Sequence, residues 1–303
     1  MSADVIVIGG GAAGLSCALV LGRARRDVVV VDRGAPSNLV STGIGGLLGN
    51  DRYPPRAFYD VCRQQLAQYP SVRVVAATVA ALHARPDGCT VVLDDGTRLD
   101  ARHVVLATGM RYAWPAIEGI ESFWGSSVFH CPFCHGWEHR DAITVAIVRD
   151  AASLERALLV TNWTSDITAV VAPGTLGTDE LGLLASAGIH VEPGTVRALH
   201  GHDRVLTGVE LGDGTRLRAE ALLVPAPHVT RDDLIERAGL DLTDDGHVAV
   251  DAFGRTGHDR VWAVGDVSDP ASTVARAIAA GSTAAIAIVR TLTRDRLTSH
   301  DAI

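Results

Sequence analysis

The residues best equipped for chemistry lie together in Phe129-His130-Cys131-Pro132-Phe133-Cys134-His135-Gly136-Trp137-Glu138. Two residues between cysteines allow one disulfide to close over the first turn of a helix, where the terminal amides stabilise a thiolate and lower its pKa. Pro132 suits that turn, having no N–H to leave unpaired. Thiol–disulfide exchange is the chemistry of such a pair, and His130 and His135 flank it as candidates to take the proton of an incoming thiol, with His135 the first choice. Three other uses compete. Zinc would require a second Cys-x-x-Cys or a spaced pair of histidines, and no metal site is expected. Cys-x-x-Cys-His also spells a haem attachment site, a chemistry that belongs with export, whereas Met1-Ser2-Ala3-Asp4 leads straight into apolar Val5 to Ile8 with no leader pattern. Cysteines placed between two histidines and a tryptophan would make an odd core. Cys17, Cys62 and Cys89 are isolated and are expected to pack.

The elements that must position this pair begin at the N-terminus. A buried-type strand from Asp4 to Ile8 leads into Gly9-Gly10-Gly11-Ala12-Ala13-Gly14, an alanine- and leucine-rich helix follows, and a second strand ends at Asp32. In that setting Gly-x-Gly-x-x-Gly is a dinucleotide fingerprint. Gly9 permits the tight turn, Gly11 lets a pyrophosphate approach the backbone, Gly14 lets the helix pack closely, and Asp32 can accept from ribose hydroxyls. From Val72 to Gly109 the pattern changes to alternating strands with a hairpin signal at Asp95-Gly96. The string Asp95-Gly-Thr-Arg-Leu99 returns as Asp213-Gly-Thr-Arg-Leu217, so the same unit occurs twice. The copy's nucleotide strand is expected at Ile143 to Val148, with its helix at Ala151 to Val160.

That second turn has lost its glycines. It reads Arg149-Asp150-Ala151-Ala152-Ser153-Leu154, whose side chains obstruct backbone approach and whose Asp150 places a negative charge where a pyrophosphate would lie. The following strand, Asp166 to Val171, ends in Ala172-Pro173-Gly174 with neither an acid for a ribose 2′-hydroxyl nor arginines for a 2′-phosphate. Nicotinamide binding in the usual mode is not expected.

Bulk properties narrow the field further. The chain of 303 residues, 47% hydrophobic, can bury two cores. Its net charge of −8 argues against nucleic-acid and anionic-membrane partners. All its basic side chains other than histidine are arginine, which excludes lysine Schiff-base chemistry and a P-loop. The apolar run from Ile278 to Val289 is short and interrupted by Gly and Ser, so no membrane span is expected, and the protein is expected to be soluble and cytoplasmic.

Taken together, these features make the whole chain resemble the low-molecular-weight thioredoxin reductase family of flavoproteins. The resemblance implies an α/β protein of two Rossmann-like, three-layer ββα domains: a discontinuous FAD-binding domain (1–113 and 228–303) and an inserted, degenerate NADPH-type domain (114–227) that carries the cysteine pair. It implies FAD as cofactor and a homodimer. Arg260-Val-Trp-Ala-Val-Gly265-Asp266-Val267 matches the C-terminal flavin motif, with Asp266 on the ribityl chain, and Ala107-Thr108-Gly109 matches a strand end beside the flavin. Val274 and Ala275 open the helix aimed at the flavin, and Asn38 joins Gly9, Gly11, Ala12, Ala13, Gly14 and Asp32 among the expected cofactor contacts. By the same resemblance Cys134 faces the flavin and Cys131 meets substrate. Thioredoxin reductases carry an Asp after the second cysteine, where this chain has His135, and a glycine turn with arginines for NADPH, which this chain lacks. Those departures resemble the dithiol oxidase branch, enzymes that close disulfides in small natural products such as gliotoxin and holomycin. The expected activity is therefore oxidation of a small-molecule dithiol with molecular oxygen as final acceptor. Two alternatives stand beside it: a thioredoxin-like disulfide reductase fed by ferredoxin or another flavin, and a non-catalytic redox-sensing flavoprotein.

Overall fold

A computed structural model describes residues 2–226, 228–230 and 233–300. The chain divides into two compact units, one of Met1–Leu39, Pro55–Arg111 and His228–Ile303, the other of Val40–Pro54 and Tyr112–Pro227. Segment 40–54 packs with the second unit, although it falls within the stretch expected to form the first domain. Residue 227, at the second expected boundary, lies outside the described residues.

In the first unit β1 (Ala3–Ile8), β2 (Val28–Asp32) and β3 (Val72–Ala76) run parallel. An antiparallel hairpin of β4 (Val79–Arg85) and β5 (Gly88–Leu93) then turns at Asp95-Gly96 into β6 (Arg98–Leu106). The sheet order is β3-β2-β1-β6-β5-β4, and the strand Val261–Ala263 runs parallel to the end of β6. β1 and β2 are nearly unbroken Val and Ile because parallel strands are covered on both faces. Ile6, Ile8, Val29, Val31, Val104 and Leu106 accordingly share one core with Val91 of the hairpin.

Two helices of this unit fix its nucleotide end. Helix α1 (Ala12–Arg23) packs along the C-terminal helix Val274–His300, and α2 (Pro55–Leu66) packs on α1. The C-terminal helix continues well past the apolar run that the sequence suggested, because polar contacts hold its last turns: Asp295 accepts from Arg102 and Arg260, each at 3.1 Å. At this length, Val274–Thr298 could cross a membrane by length and composition, which the shorter run could not. Its Ala277, Ala284, Ala285, Ile288 and Leu292 are buried in the unit. Small side chains allow the close crossing: a Cβ at Gly281 would collide with the Ala13 carbonyl, and Ser16 Oγ donates to the Ile278 carbonyl at 2.7 Å.

The second unit repeats the plan in separate layers. β7 (Val128–Phe129), β8 (Thr144–Val148), β9 (Ile167–Val171) and β10 (His190–Pro193) belong to a parallel sheet, while β11 (Val196–His202), β12 (Val205–Leu211) and β13 (Arg216–Arg218) form an antiparallel one. β14 (Ala221–Leu223) returns to the parallel sheet, whose order is β10-β9-β8-β14-β7. The helices are the short α3 (Ile120–Phe123) and α4 (Pro132–His135), then α5 (Ala151–Val160) and α6 (Thr178–Ser186). Strand side chains alternate between two cores. Val145, Val170 and Leu222 join Leu199 and Val209 of the antiparallel sheet, whereas Ala146, Val148, Ala169, Val171 and Leu223 join Leu154, Ala157 and Val160 of α5 and Leu184 of α6.

The close crossing at Gly281 makes a specific demand. Gly281→Val is expected to force the C-terminal helix off α1 and to destabilise the protein by about 1–3 kcal/mol, the usual cost of overpacking. Thermal unfolding of the purified variant measures it, and an unchanged midpoint would contradict this packing.

Candidate active site

The first unit gathers its expected cofactor residues at one end of the sheet. Gly9 takes φ +107°, and a Cβ there would overlap the Ala107 carbonyl, so the turn after β1 lies directly against the strand end Ala107-Thr108-Gly109. Gly265, in the short 3-10 turn Gly265–Val267 with Asp266, approaches Ala13 closely enough that an added Cβ would lie 2.9 Å from the Ala13 Cβ. The α1 N-terminus is left open: Gly11 is its N-cap, no side chain caps it, and a Cβ at Gly11 would meet nothing within 4 Å. Thr108 Oγ1 is shielded from solvent and has no hydrogen-bond partner among the described residues. Burial raises the Asp266 carboxyl above the ordinary range. Asp32 accepts from the Gly34 amide at 3.0 Å and from Arg63 at 3.1 Å, and Asn38 Oδ1 accepts from the Tyr59 hydroxyl at 3.0 Å. Val274 and Ala275 form the first turn of the C-terminal helix. Arg63 and Tyr59 carried no signal in the sequence, since each is one residue on an amphipathic helix.

At the matching place in the second unit the helix terminus is already filled. Asp150 is the N-cap of α5, its Oδ1 accepts from the Ser153 amide at 2.8 Å, and Ser153 Oγ accepts from the amides of Arg149 at 2.9 Å and Asp150 at 3.0 Å. Arg149 pairs with the same Asp150 at 3.4 Å. The amides of Arg149, Asp150 and Ser153 are thus bonded to the protein's own side chains.

Cys131 and Cys134 form a disulfide, with their Cα atoms 5.3 Å apart. Cys131 is the N-cap of α4 and Pro132 opens it, while Phe133 and Trp137 on either side of Cys134 are 68% and 57% exposed. Arg140 lies over the Trp137 ring at 4.6 Å, and Phe133 meets Trp163 edge-on. The two candidate histidines part company. His130 packs among Tyr112 and Trp124, at 4.5 and 5.8 Å between ring centres. His135 stacks on Phe129, as does His139 on the next turn. The His135 side chain is partly exposed, but Nδ1 is sealed from solvent without a hydrogen-bond partner among the described residues, and Nε2 lies 3.4 Å from Ser41 Oγ. Burial first, and the neighbouring His139 second, lower its pKa to about 4 against an opposing contribution from the Cys131 backbone. At neutral pH His135 is therefore an uncharged base.

The sequence carries a recognisable family pattern over nearly its whole length: residues 3–284 match Pyridine nucleotide-disulphide oxidoreductase. The chain belongs to that family. It is similar to "Thioredoxin reductase sirT" of Leptosphaeria maculans, 28% identical over 93% of this chain and 91% of the relative. Among solved structures it is similar to HlmI, with a TM-score of 0.94 at 35% identity over 99% of this chain and 96% of the other. An oxidoreductase from Agrobacterium tumefaciens superposes with a TM-score of 0.88 at 32% identity, covering 97% and 99%. The protein is accordingly a thioredoxin reductase-like disulfide oxidoreductase and a flavoprotein with FAD as its cofactor. The open glycine cradle and the unpartnered Thr108 hydroxyl of the first unit fit that cofactor.

His135 also couples stability to pH in this pyridine nucleotide-disulphide oxidoreductase. A histidine held at about 4 in the fold, against 6.5 ordinarily, binds its proton more readily when unfolded. Stability is complete above about pH 6.5 and falls as pH drops towards 4. His135→Asn should remove part of that acid sensitivity, at most about 2 kcal/mol between pH 6.5 and 5 before solvent screening of the exposed part reduces it. Urea unfolding at both pH values checks this, and identical acid losses in the two proteins would refute it.

Proposed function

We propose that this protein is an FAD-dependent dithiol oxidase that forms a disulfide in a small-molecule dithiol and delivers the electrons to molecular oxygen, giving hydrogen peroxide. The observation that carries the reading is the self-capped N-terminus of α5, where Asp150 and Ser153 bond amides of the turn that a nicotinamide dinucleotide would approach. A unit without that site has no route for electrons from NADPH, and the dithiol becomes the donor. His135 is uncharged at pH 7 and offers a lone pair to a thiol proton, as a base that burial weakens to a pKa of about 4.

In this reading a substrate thiol gives its proton to His135 and its sulfur attacks Cys131 Sγ. The Cys131–Cys134 bond breaks, a substrate–Cys131 mixed disulfide forms, and Cys134 leaves as thiolate. The second substrate thiol then attacks its own disulfide-bonded sulfur, releasing the product disulfide and leaving both cysteines reduced. FAD supplies the two-electron acceptance from the reduced pair and the onward transfer to oxygen. Gly9, Gly11, Ala12, Ala13 and Gly14 would hold its pyrophosphate, Asp32 and Asn38 its adenosine side, Ala107, Thr108 and Gly109 the strand-end contacts, and Gly265, Asp266, Val274 and Ala275 the ribityl and ring end. The second unit then serves as a carrier of the cysteine pair rather than as a nucleotide domain. Exposed Phe133 and Trp137 beside the disulfide offer apolar faces suited to a compact, weakly polar dithiol. His130, packed on Tyr112 and Trp124, supports the wall of the site, leaving the proton to His135. A cytoplasmic homodimer completes the proposal.

Oxygen uptake with small dithiols such as dithiothreitol and heterocyclic dithiols tests it directly. One peroxide is expected per disulfide formed, with no NADPH consumption, and Cys131→Ser should lose at least about a thousandfold in turnover. Rapid NADPH-driven reduction of a disulfide, with no oxygen uptake from any dithiol, would overturn it.

A further inference from the structure

The second unit includes a segment from far earlier in the chain, and that segment reaches the histidine beside the redox pair. Val40–Pro54 is folded back on itself, with the Ile44 amide on the Tyr53 carbonyl at 3.0 Å, the Arg52 amide on the Ile44 carbonyl at 2.8 Å and the Gly46 amide on Asp51 at 2.8 Å. Three contacts fasten it to the rest of the unit. Arg204 donates to the Val40 carbonyl at 2.8 Å, Arg52 pairs with Glu138 at 3.4 Å, and a Cβ at Gly45 would lie 2.5 Å from the Cys134 carbonyl, so only glycine allows so close an approach. Ser41 follows the anchored Val40, and its Oγ lies 3.4 Å from His135 Nε2.

Which ring nitrogen works follows from access. Nδ1 is sealed from solvent and without a partner among the described residues, so a lone pair there could not meet an incoming thiol. Nε2 remains, and Ser41 is the side chain bonded to it. A hydroxyl both donates and accepts. It can donate to the Nε2 lone pair of the neutral ring and, after proton transfer, accept from the Nε2–H of the imidazolium, holding the ring in one orientation throughout. A bond that is long in the resting protein can shorten as charge develops.

The geometry points to Ser41 as the hydroxyl that relays the proton of the attacking dithiol to Nε2 of His135. This rests on the dithiol-exchange reading above. In the step concerned, the S–H bond of the incoming thiol breaks and its proton passes to Ser41 Oγ as the Ser41 O–H proton passes to Nε2, the hydroxyl then accepting from the new N–H, and the sulfur bonds to Cys131 as the Cys131–Cys134 bond breaks towards Cys134. The titratable group that acts on His135 is His139 on the next turn, which opposes its protonation, against a contribution from the Cys131 backbone that favours it, while Glu138, three residues on, pairs with Arg52.

Anaerobic stopped-flow reduction of the holoenzyme by dithiothreitol between pH 6 and pH 9.5 tests the assignment, with flavin absorbance as the signal. Ser41→Ala should slow reduction about fivefold to tenfold near pH 7, the worth of one hydrogen bond, and the deficit should close towards pH 9, where the thiol ionises unaided. Ser41→Thr keeps the hydroxyl and should recover most of the rate. An Ala variant with the wild-type rate and pH profile would overturn the assignment, as would a loss equal at every pH and not rescued by Thr. These outcomes separate from failure of the oxidase reading: were oxygen uptake absent but the pH-dependent Ser41 effect present, the oxidase would be wrong and the relay role would stand.

Discussion

Helix N-termini present amides that nothing inside the helix can satisfy, and the two units of this protein differ chiefly in what meets those amides. In the first unit Gly11 caps α1 without a side-chain bond, the space above it is open, and Gly9, held at positive φ against Ala107, brings the strand end alongside. In the second, Asp150 and Ser153 bond each other's backbone and close the terminus of α5. The surrounding architecture is nearly the same in both: parallel strands, a covering helix and an antiparallel hairpin with the same Asp-Gly-Thr-Arg-Leu turn. One repeated plan thus carries an open helix terminus in the first unit and a side-chain-capped one in the second, through a handful of positions in a single turn.

A closed second terminus constrains the chemistry at the disulfide. A reductase acid at this place would have to hold a proton at neutral pH, but burial and His139 keep His135 uncharged there. The side-chain cap on α5 and the uncharged histidine on α4 are independent features on separate helices. The first bears on the electron donor and the second on the proton, so each supports the proposed direction separately.

How much of this was legible in the sequence depended on how far apart the interacting residues lie. The glycine turn, the repeated hairpin and the boundaries of α5 were readable because each is a local pattern in which residue type dictates backbone geometry. The loss of glycines from the second turn and the charge of Asp150 were readable too, although the hydrogen bonds to Ser153 appear only in the structure. His130 and His135 both flank the cysteines, and the sequence favours His135 without showing what surrounds either ring. They separate only once Tyr112 and Trp124 gather the first and Phe129 and Ser41 the second. Arg63 on Asp32, 31 residues away, and Ser41 by His135, 94 away, left no periodic trace. The C-terminal helix ran long for a similar reason, since Asp295 is held by Arg102 and Arg260 from other elements.

Segment 40–54 shows why the contacts hardest to read were those nearest the chemistry. A four-residue helix such as α4 has too few hydrogen bonds to fix its own side chains, so orientation must be imposed by packing from elsewhere. Gly45 against the Cys134 carbonyl and Arg52 on Glu138 supply that packing from a stretch with little regular structure. Such a segment can vary in composition provided it keeps a glycine at the close approach, a cation for Glu138 and a hydroxyl at Nε2. Requirements so sparse produce no periodicity and no motif, yet each acts on the turn that holds the disulfide. The turn that holds the disulfide is therefore oriented in part by irregular chain, through the close approach of Gly45 and the pairing of Arg52 with Glu138.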